Sequence, residues 1–226
     1  MNYFNVWYYY VIMNVLFFIS LFLLLISITN PKLKKHYILI KSITSILFCC
    51  VALINFIQSG MNNWMILMLP IVLCMIGDVA LGFYQRFKKP IFFKLGLTSF
   101  LFAHVFFVFH LHAIINIQFF EIIIALCGVL LTYLVDKFQL INFGKQKIAC
   151  MTYSFFVTLL LVKGLYIAIS LKTTIAYSFG LASLLFFISD FILMFMYFRK
   201  TNTVLHIFNL TTYYLSMYLF ANILHH

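Results

Sequence analysis

Two aspartates, Asp78 and Asp190, lie inside long apolar stretches of a chain that has only four acidic residues in total. An ionisable side chain near the centre of a lipid bilayer costs about 2.5–3.5 kcal/mol on insertion scales, so such residues indicate a functional site. Two carboxyl groups in one low-dielectric pocket differ in their affinity for protons, because desolvation and like charge both oppose double ionisation. The pair is therefore a candidate for general acid–base chemistry, in which one carboxyl donates a proton and the other accepts one.

The two aspartates lie at the same predicted depth. Asp78 precedes Arg86 by eight residues and Asp190 precedes Arg199 by nine, which places each carboxyl ~12–14 Å inside the cytoplasmic boundary at ~1.5 Å per helical residue. Other polar side chains fall near this level, and they are Lys41, His104, Tyr153, Tyr213 and Tyr214. Together these residues predict a polar cavity that opens toward the cytoplasm, where they would bind substrate or tune protonation.

Each of these residues also has a purely structural interpretation. An aspartate could simply make a hydrogen bond between two helices. Lys41 could extend its ammonium group to the nearby interface, as long basic side chains do, or lie buried opposite an aspartate. His104 could be a packed histidine that donates to a backbone carbonyl, and the tyrosines could belong to interfacial belts. We expect Lys163, which lies further out, to extend toward the outer interface.

The composition predicts the elements that must position these side chains. Of the 226 residues, 65% are hydrophobic and only 8% are charged, whereas about a quarter of an ordinary soluble domain is charged. Apolar stretches of 18 or more residues, long enough to cross a bilayer as helices, recur along the chain. We predict one all-α, polytopic membrane domain over residues 1–226, a bundle of eight transmembrane helices. Their predicted ranges are 8–28, 37–58, 64–85, 93–114, 117–135, 148–170, 174–198 and 203–224.

The basic residues predict the orientation of this bundle. Twelve of the fifteen lysines and arginines follow predicted helices 1, 3, 5 and 7. Because basic residues accumulate on the cytoplasmic side, both termini are expected on the non-cytoplasmic side, in the inner cell membrane if the protein is bacterial. The net charge of +11 then reflects loops beside anionic lipid, and we expect no nucleic-acid partner.

The sequence gives little support for a metal site. A metal-dependent membrane amidase or lipase would need about three His, or His plus Asp, at one depth. His110 and His112 lie at the outer end of predicted helix 4, away from the aspartates, and the five cysteines form no C-x-x-C pair. We therefore expect no metal and no other cofactor.

Several short segments resemble the signature segments of the YhhN-like lysoplasmalogenase family. They occur in the family's order, and the likeness covers predicted helices 2 to 8. The segments are GDVAL from Gly77, GLTSF from Gly96 running to Ala103 and His104, LFFISD ending at Asp190, and TYY from Thr212, while Lys41 with Thr44 resembles an early lysine motif. Together they are more specific than any one of them alone.

The resemblance implies an eight-helix hydrolase that cleaves the vinyl ether bond of lysoplasmalogens. Its products would be a fatty aldehyde and a glycerophospho-ethanolamine or -choline, and its partners a lysophospholipid, water and the surrounding membrane lipids. It also implies that Asp78 and Asp190 are the acid and the base. Three positions depart from the family's pattern: Ser42, Phe107 and Met217 stand where Pro, an aromatic hydroxyl and Gln are usual. They affect the expected head-group preference and leave the aspartates unchanged.

Two other classes are compatible with the same residues. A proton-coupled transporter would also place Asp, Lys and His at mid-depth, and a faint likeness of predicted helices 3–4 to helices 7–8 is compatible with one. A non-catalytic lipid-binding protein is the other class, because a family likeness does not establish activity. Substrate flux without product formation would indicate the transporter, and recovery of intact lysolipid would indicate the binding protein.

Overall fold

The computed structural model describes residues 3–59 and 64–223, and within these ranges it is helical and contains no strand. The all-α class predicted from composition is therefore confirmed. The helices are α1 Tyr3–Thr29, α2 Pro31–Lys34, α3 Tyr37–Ser59, α4 Trp64–Phe87, α5 Pro90–Ile114, α6 Phe119–Lys137, α7 Lys147–Leu171, α8 Thr174–Phe198 and α9 Thr203–Asn222. A 3₁₀ turn, Gly144–Gln146, precedes α7.

Each of the eight predicted spans corresponds to one long helix, and α2 is an additional short one. Seven of the long helices are long and apolar enough to cross a membrane, so the chain is an integral membrane protein. The long helix that is not among those seven is α9. It is 20 residues long and carries His206, Asn209 and several hydroxyl side chains.

The helix boundaries follow local capping chemistry. Before α8, the Thr173 hydroxyl accepts a hydrogen bond from the backbone N–H of Ala176, which satisfies one of the free donors at a helix start. The predicted span 174–198 coincides with α8 at both ends. By contrast, α5 begins at Pro90, earlier than predicted, because proline is well suited to the first turn of a helix.

The chain forms two compact units. Unit 1 comprises Met1–Phe106 and Met217–His226. Within it α1 packs on α3 and α3 packs on α4. Helices α4 and α5 approach closely, since a Cβ atom at Gly96 would lie 2.6 Å from Leu81 Cδ2. Helix α4, which carries Asp78, is thus held by neighbours on two sides.

Unit 2 comprises Phe107–Ser216. Within it α6 packs on α7 and α7 packs on α8. Helices α7 and α8 are in close contact at glycines: a Cβ at Gly164 would overlap the side chain of Ser183, and one at Gly180 would lie 2.8 Å from Ala168 Cβ. Small residues at such contacts let two membrane helices approach closely. This packing fixes the position of α8, which carries Asp190, against α7.

Candidate functional site

Asp78 lies at the centre of a buried polar cluster in unit 1. The Lys41 ammonium is 2.9 Å from Asp78 Oδ1, and the Ser45 hydroxyl donates to Asp78 Oδ2 over 2.7 Å. Lys41, Ser45 and Asp78, here called the Asp78 cluster, are all buried. Both carboxylate oxygens are therefore engaged by donors from α3.

The position of Lys41 decides between its two predicted interpretations. Its side chain is only 4% exposed and lies opposite an aspartate, so it does not extend to the interface. Gly82, one turn after Asp78 on α4, lies beside the lysine stem, since a Cβ there would be 3.4 Å from Lys41 Cδ. The lysine stem thus passes over a glycine before its ammonium meets the carboxylate. The Asp78 carboxylate balances the buried positive charge of Lys41, which would be strongly destabilising without a partner.

Asp190 lies in unit 2 and contacts α7. The Tyr153 hydroxyl donates a hydrogen bond to Asp190 Oδ2 over 2.8 Å, and Asp190 is 8% exposed. Tyr153 was predicted from depth alone, and the structure brings it to the second aspartate. We call Tyr153 and Asp190 the Asp190 pair.

The backbone next to Asp190 is held by an amide on α9. Asn209 Nδ2 donates to the carbonyl oxygen of Ser189 over 2.8 Å and lies 3.0 Å from the Ser189 hydroxyl. That hydroxyl in turn donates to the backbone carbonyl oxygen of Asn209 over 3.3 Å. Asn209 was not a predicted site residue. Its contacts fix the residue immediately before Asp190, so it supports the position of the carboxyl.

The other three predicted site residues are also buried. His104, on α5, has Nδ1 2.6 Å from the carbonyl oxygen of Phe100, a contact that matches the structural interpretation of this histidine. On α9, the rings of Tyr213 and Tyr214 lie 5.0 Å apart, and the Tyr213 ring lies 5.9 Å from that of Phe186. Both tyrosines are buried, so they do not form an interfacial belt.

The prediction for Lys163 was wrong. Its side chain is fully buried, with the ammonium 3.0 Å from the Asn116 carbonyl oxygen and 3.3 Å from Glu121 Oε1. Glu121 also accepts a hydrogen bond from the backbone N–H of Gln118 over 2.8 Å, at the start of α6. A buried lysine with a carboxylate partner need not extend to the interface. Sequence reasoning missed Glu121 because it lies 42 residues away.

The fourth acidic residue lies near the connection between α6 and α7. Asp136 pairs with Lys147 over 2.8 Å and accepts a hydrogen bond from the backbone N–H of Phe143. This pair is partly exposed and spans a short connection. It joins the ends of two consecutive helices, which indicates a structural role, whereas Asp78 and Asp190 lie within α4 and α8.

The arrangement suits proton-transfer chemistry carried out by carboxyl groups. Among residues 3–59 and 64–223, no three His, Cys, Asp or Glu side chains come close enough together to hold a metal ion. The Asp78 cluster provides a carboxylate with a fixed orientation and a nearby positive charge. The Asp190 pair provides a second buried carboxyl beside a phenol, which is a donor or acceptor of hydrogen bonds.

Comparisons with known proteins give one match. Searches of curated proteins and of solved structures find nothing similar. A model of the YhhN family, in contrast, matches residues 36–224. The matched range contains both aspartates and every other predicted site residue. Because the match extends over most of its length, the chain belongs to the YhhN family, which includes lysoplasmalogenases.

Proposed function

We propose that the protein is a membrane hydrolase that cleaves the vinyl ether bond of lysoplasmalogen-type lysophospholipids. The products are a fatty aldehyde and a glycerophospho-ethanolamine or -choline. Family membership supports this substrate class. The observation that carries the proposal is the Asp78 cluster, in which a buried carboxylate is paired with a buried lysine. Such a group is costly to place in a membrane protein and is typically functional.

The reaction needs one proton donor and one proton acceptor. A carboxylic acid protonates the alkenyl carbon that is not bonded to oxygen, which leaves an oxocarbenium cation. Water adds to the cation and loses a proton to a carboxylate, as paired carboxyl groups manage in glycosidases. The resulting hemiacetal collapses to the aldehyde and the free glycerol hydroxyl. The proton donated in the first step is thus balanced by the proton taken from water.

We assign the acceptor role to Asp78 and the donor role to Asp190. The Lys41 ammonium balances a negative charge on Asp78, and a carboxyl must carry that charge to accept a proton from water. Asp190 then supplies the proton, and the Tyr153 hydroxyl at 2.8 Å orients it. His104, Tyr213 and Tyr214 contribute to substrate binding.

The proposal is tested with purified protein and three matched lysophospholipids that carry an alkenyl, an alkyl or an acyl chain. Products are identified by mass spectrometry. We expect fatty aldehyde from the alkenyl lipid alone, since only a vinyl ether gives an oxocarbenium cation on protonation of carbon. Asp78→Asn and Asp190→Asn should each abolish aldehyde release while the protein stays folded. Wild-type rates in either variant would contradict the proposal.

Two other outcomes would redirect the assignment. Alkenyl lysolipid recovered intact after long incubation, but bound, would identify a lipid-binding protein. Flux of lysolipid into proteoliposomes without product would identify a transporter. The same labelled lipid is used in both measurements, so intact bound lipid, flux without product and release of aldehyde can be compared directly.

A further inference from the structure

Ser45 is a residue of the Asp78 cluster that neither the depth argument nor the family resemblance singled out. Its hydroxyl lies 2.7 Å from Asp78 Oδ2 and 3.1 Å from the carbonyl oxygen of Lys41, one turn earlier on α3. We infer that Ser45 is a positioning residue that fixes the orientation of the Asp78 carboxyl for the reaction. This inference rests on the proposed function, in which Asp78 accepts a proton from water.

Lys41 by itself cannot set the plane of the Asp78 carboxyl. A lysine ammonium is a compact charge with three rotatable donors on a flexible stem, so it attracts a carboxylate without setting the plane of the group. Lys41 engages Oδ1 and Ser45 engages Oδ2. Two donors on one helix, four residues apart, lie on the same face. Together they hold both oxygens and therefore fix the rotation of the carboxyl.

The hydrogen bond of Ser45 differs from those of other buried hydroxyls on nearby helices. Serine and threonine in helices commonly donate to a carbonyl of the preceding turn. Ser27 on α1 does so, with its hydroxyl 2.6 Å from the Leu24 carbonyl oxygen. Thr44 lies 2.9 Å from the Ile40 carbonyl oxygen and 2.7 Å from the Ser20 hydroxyl, which is a neutral partner. Ser45 has the same option, but its shorter contact is with the carboxylate. A hydrogen bond to a charged group is roughly twice as strong as one between neutral groups.

A kinetic experiment tests the role in the reaction. In Ser45→Ala we expect kcat for the alkenyl lysolipid to fall about tenfold or more, as expected for a lost hydrogen bond to a charged group. KM should stay within about twofold, because Ser45 acts on the carboxyl and not on ground-state binding. Ser45→Thr retains the hydroxyl and should recover most of the rate. Ser27→Ala, a buried serine outside the cluster, is the control and should match the wild type.

An infrared experiment tests the contact without any activity. The chain has only four acidic side chains, so the carboxylate stretching region of protein labelled with ¹³C-aspartate contains few bands. Subtracting the spectrum of Asp78→Asn identifies the Asp78 band. In Ser45→Ala this band should shift, while in Ser45→Thr and Ser27→Ala it should keep its wild-type position.

The two readouts separate the possible failures. An Asp78 band that does not move in Ser45→Ala overturns the inference, and so does an unchanged kcat in an active enzyme. If the wild-type protein releases no aldehyde from any lysolipid, the proposed function fails. The infrared result then still decides whether Ser45 holds the Asp78 carboxyl.

Discussion

The Tyr153 hydroxyl lies 2.8 Å from Asp190 Oδ2, and this hydrogen bond joins α7 to α8 at the second aspartate. The same two helices are also in close contact at Gly164 and Gly180. In the proposed reaction it orients the carboxyl that protonates the alkenyl carbon of the substrate. A phenol at this position is therefore expected to affect the rate more than the fold.

Replacing Tyr153 by Phe removes the hydroxyl and keeps the ring. In the proposed reaction Asp190 is protonated and neutral, and a hydrogen bond between neutral groups contributes about 0.5–1.5 kcal/mol, so we expect kcat to fall roughly 2- to 13-fold. Initial rates of aldehyde release measure this. Tyr177→Phe, at a tyrosine on α8 that is 55% exposed, should behave as the wild type. A wild-type rate in Tyr153→Phe would show that the phenol does not orient Asp190.

The ion pair of Lys41 and Asp78 should behave as a unit in unfolding experiments. Removing one partner of a buried pair costs about 3–5 kcal/mol, because the other charge stays buried without its counterion. Lys41→Met and Asp78→Asn should therefore each lower the thermal unfolding midpoint in detergent. The double variant should be more stable than either single one. If the decrease in the double variant equalled the sum of the decreases in the two single variants, the coupling would be contradicted.

The partly exposed pair of Lys147 and Asp136 provides the comparison for that experiment. Exposed ion pairs contribute little, because solvent screens the charges. Lys147→Met should shift the unfolding midpoint much less than Lys41→Met does. A shift of the same size would mean that the effect at Lys41 has a cause other than burial of the pair.

The buried pair of Lys163 and Glu121 is expected to stabilise the fold without taking part in the reaction. Lys163→Met should lower the unfolding midpoint and increase hydrogen exchange at residues 115–118, since its ammonium contacts the Asn116 carbonyl oxygen. The kcat of the protein that remains folded should not change. A large loss of kcat at full stability would instead place Lys163 in the catalytic machinery.

The double variant Gly164→Ser with Ser183→Gly should be more stable than Gly164→Ser alone. Gly164→Ser places a side chain where Ser183 already lies, and overpacking of this kind costs about 1–3 kcal/mol. The exchange Gly164→Ser with Ser183→Gly removes that overlap and should recover part of the lost stability. Thermal unfolding of the three variants measures this, and no recovery in the double variant would contradict a direct side-chain clash.

The sequence predicted the long helices well because a long apolar stretch in a membrane protein must satisfy its own backbone hydrogen bonds, which a helix does. Position along a helix converts to depth, and this argument selected Lys41 with Asp78 and Tyr153 with Asp190, two pairs that the structure brings into contact. Rotation about the helix axis is a separate variable, set by packing between helices that are distant in sequence. Ser45 and Asn209 were missed because their contacts depend on this rotation. In addition, a hydroxyl or amide in an apolar helix usually bonds to its own backbone, so neither residue was expected to reach another helix.

The polar character of α9 has a consequence for how the chain enters the bilayer. Asn209 and Ser216 are buried and donate to the carbonyl oxygens of Ser189 and Ala182 on α8. A segment with such groups partitions poorly into lipid when it is alone, because their hydrogen bonds with water are lost. Insertion of α9 during synthesis should therefore depend on α8 being in place to receive it. The translocation machinery would have to hold α8 nearby until both helices can leave together.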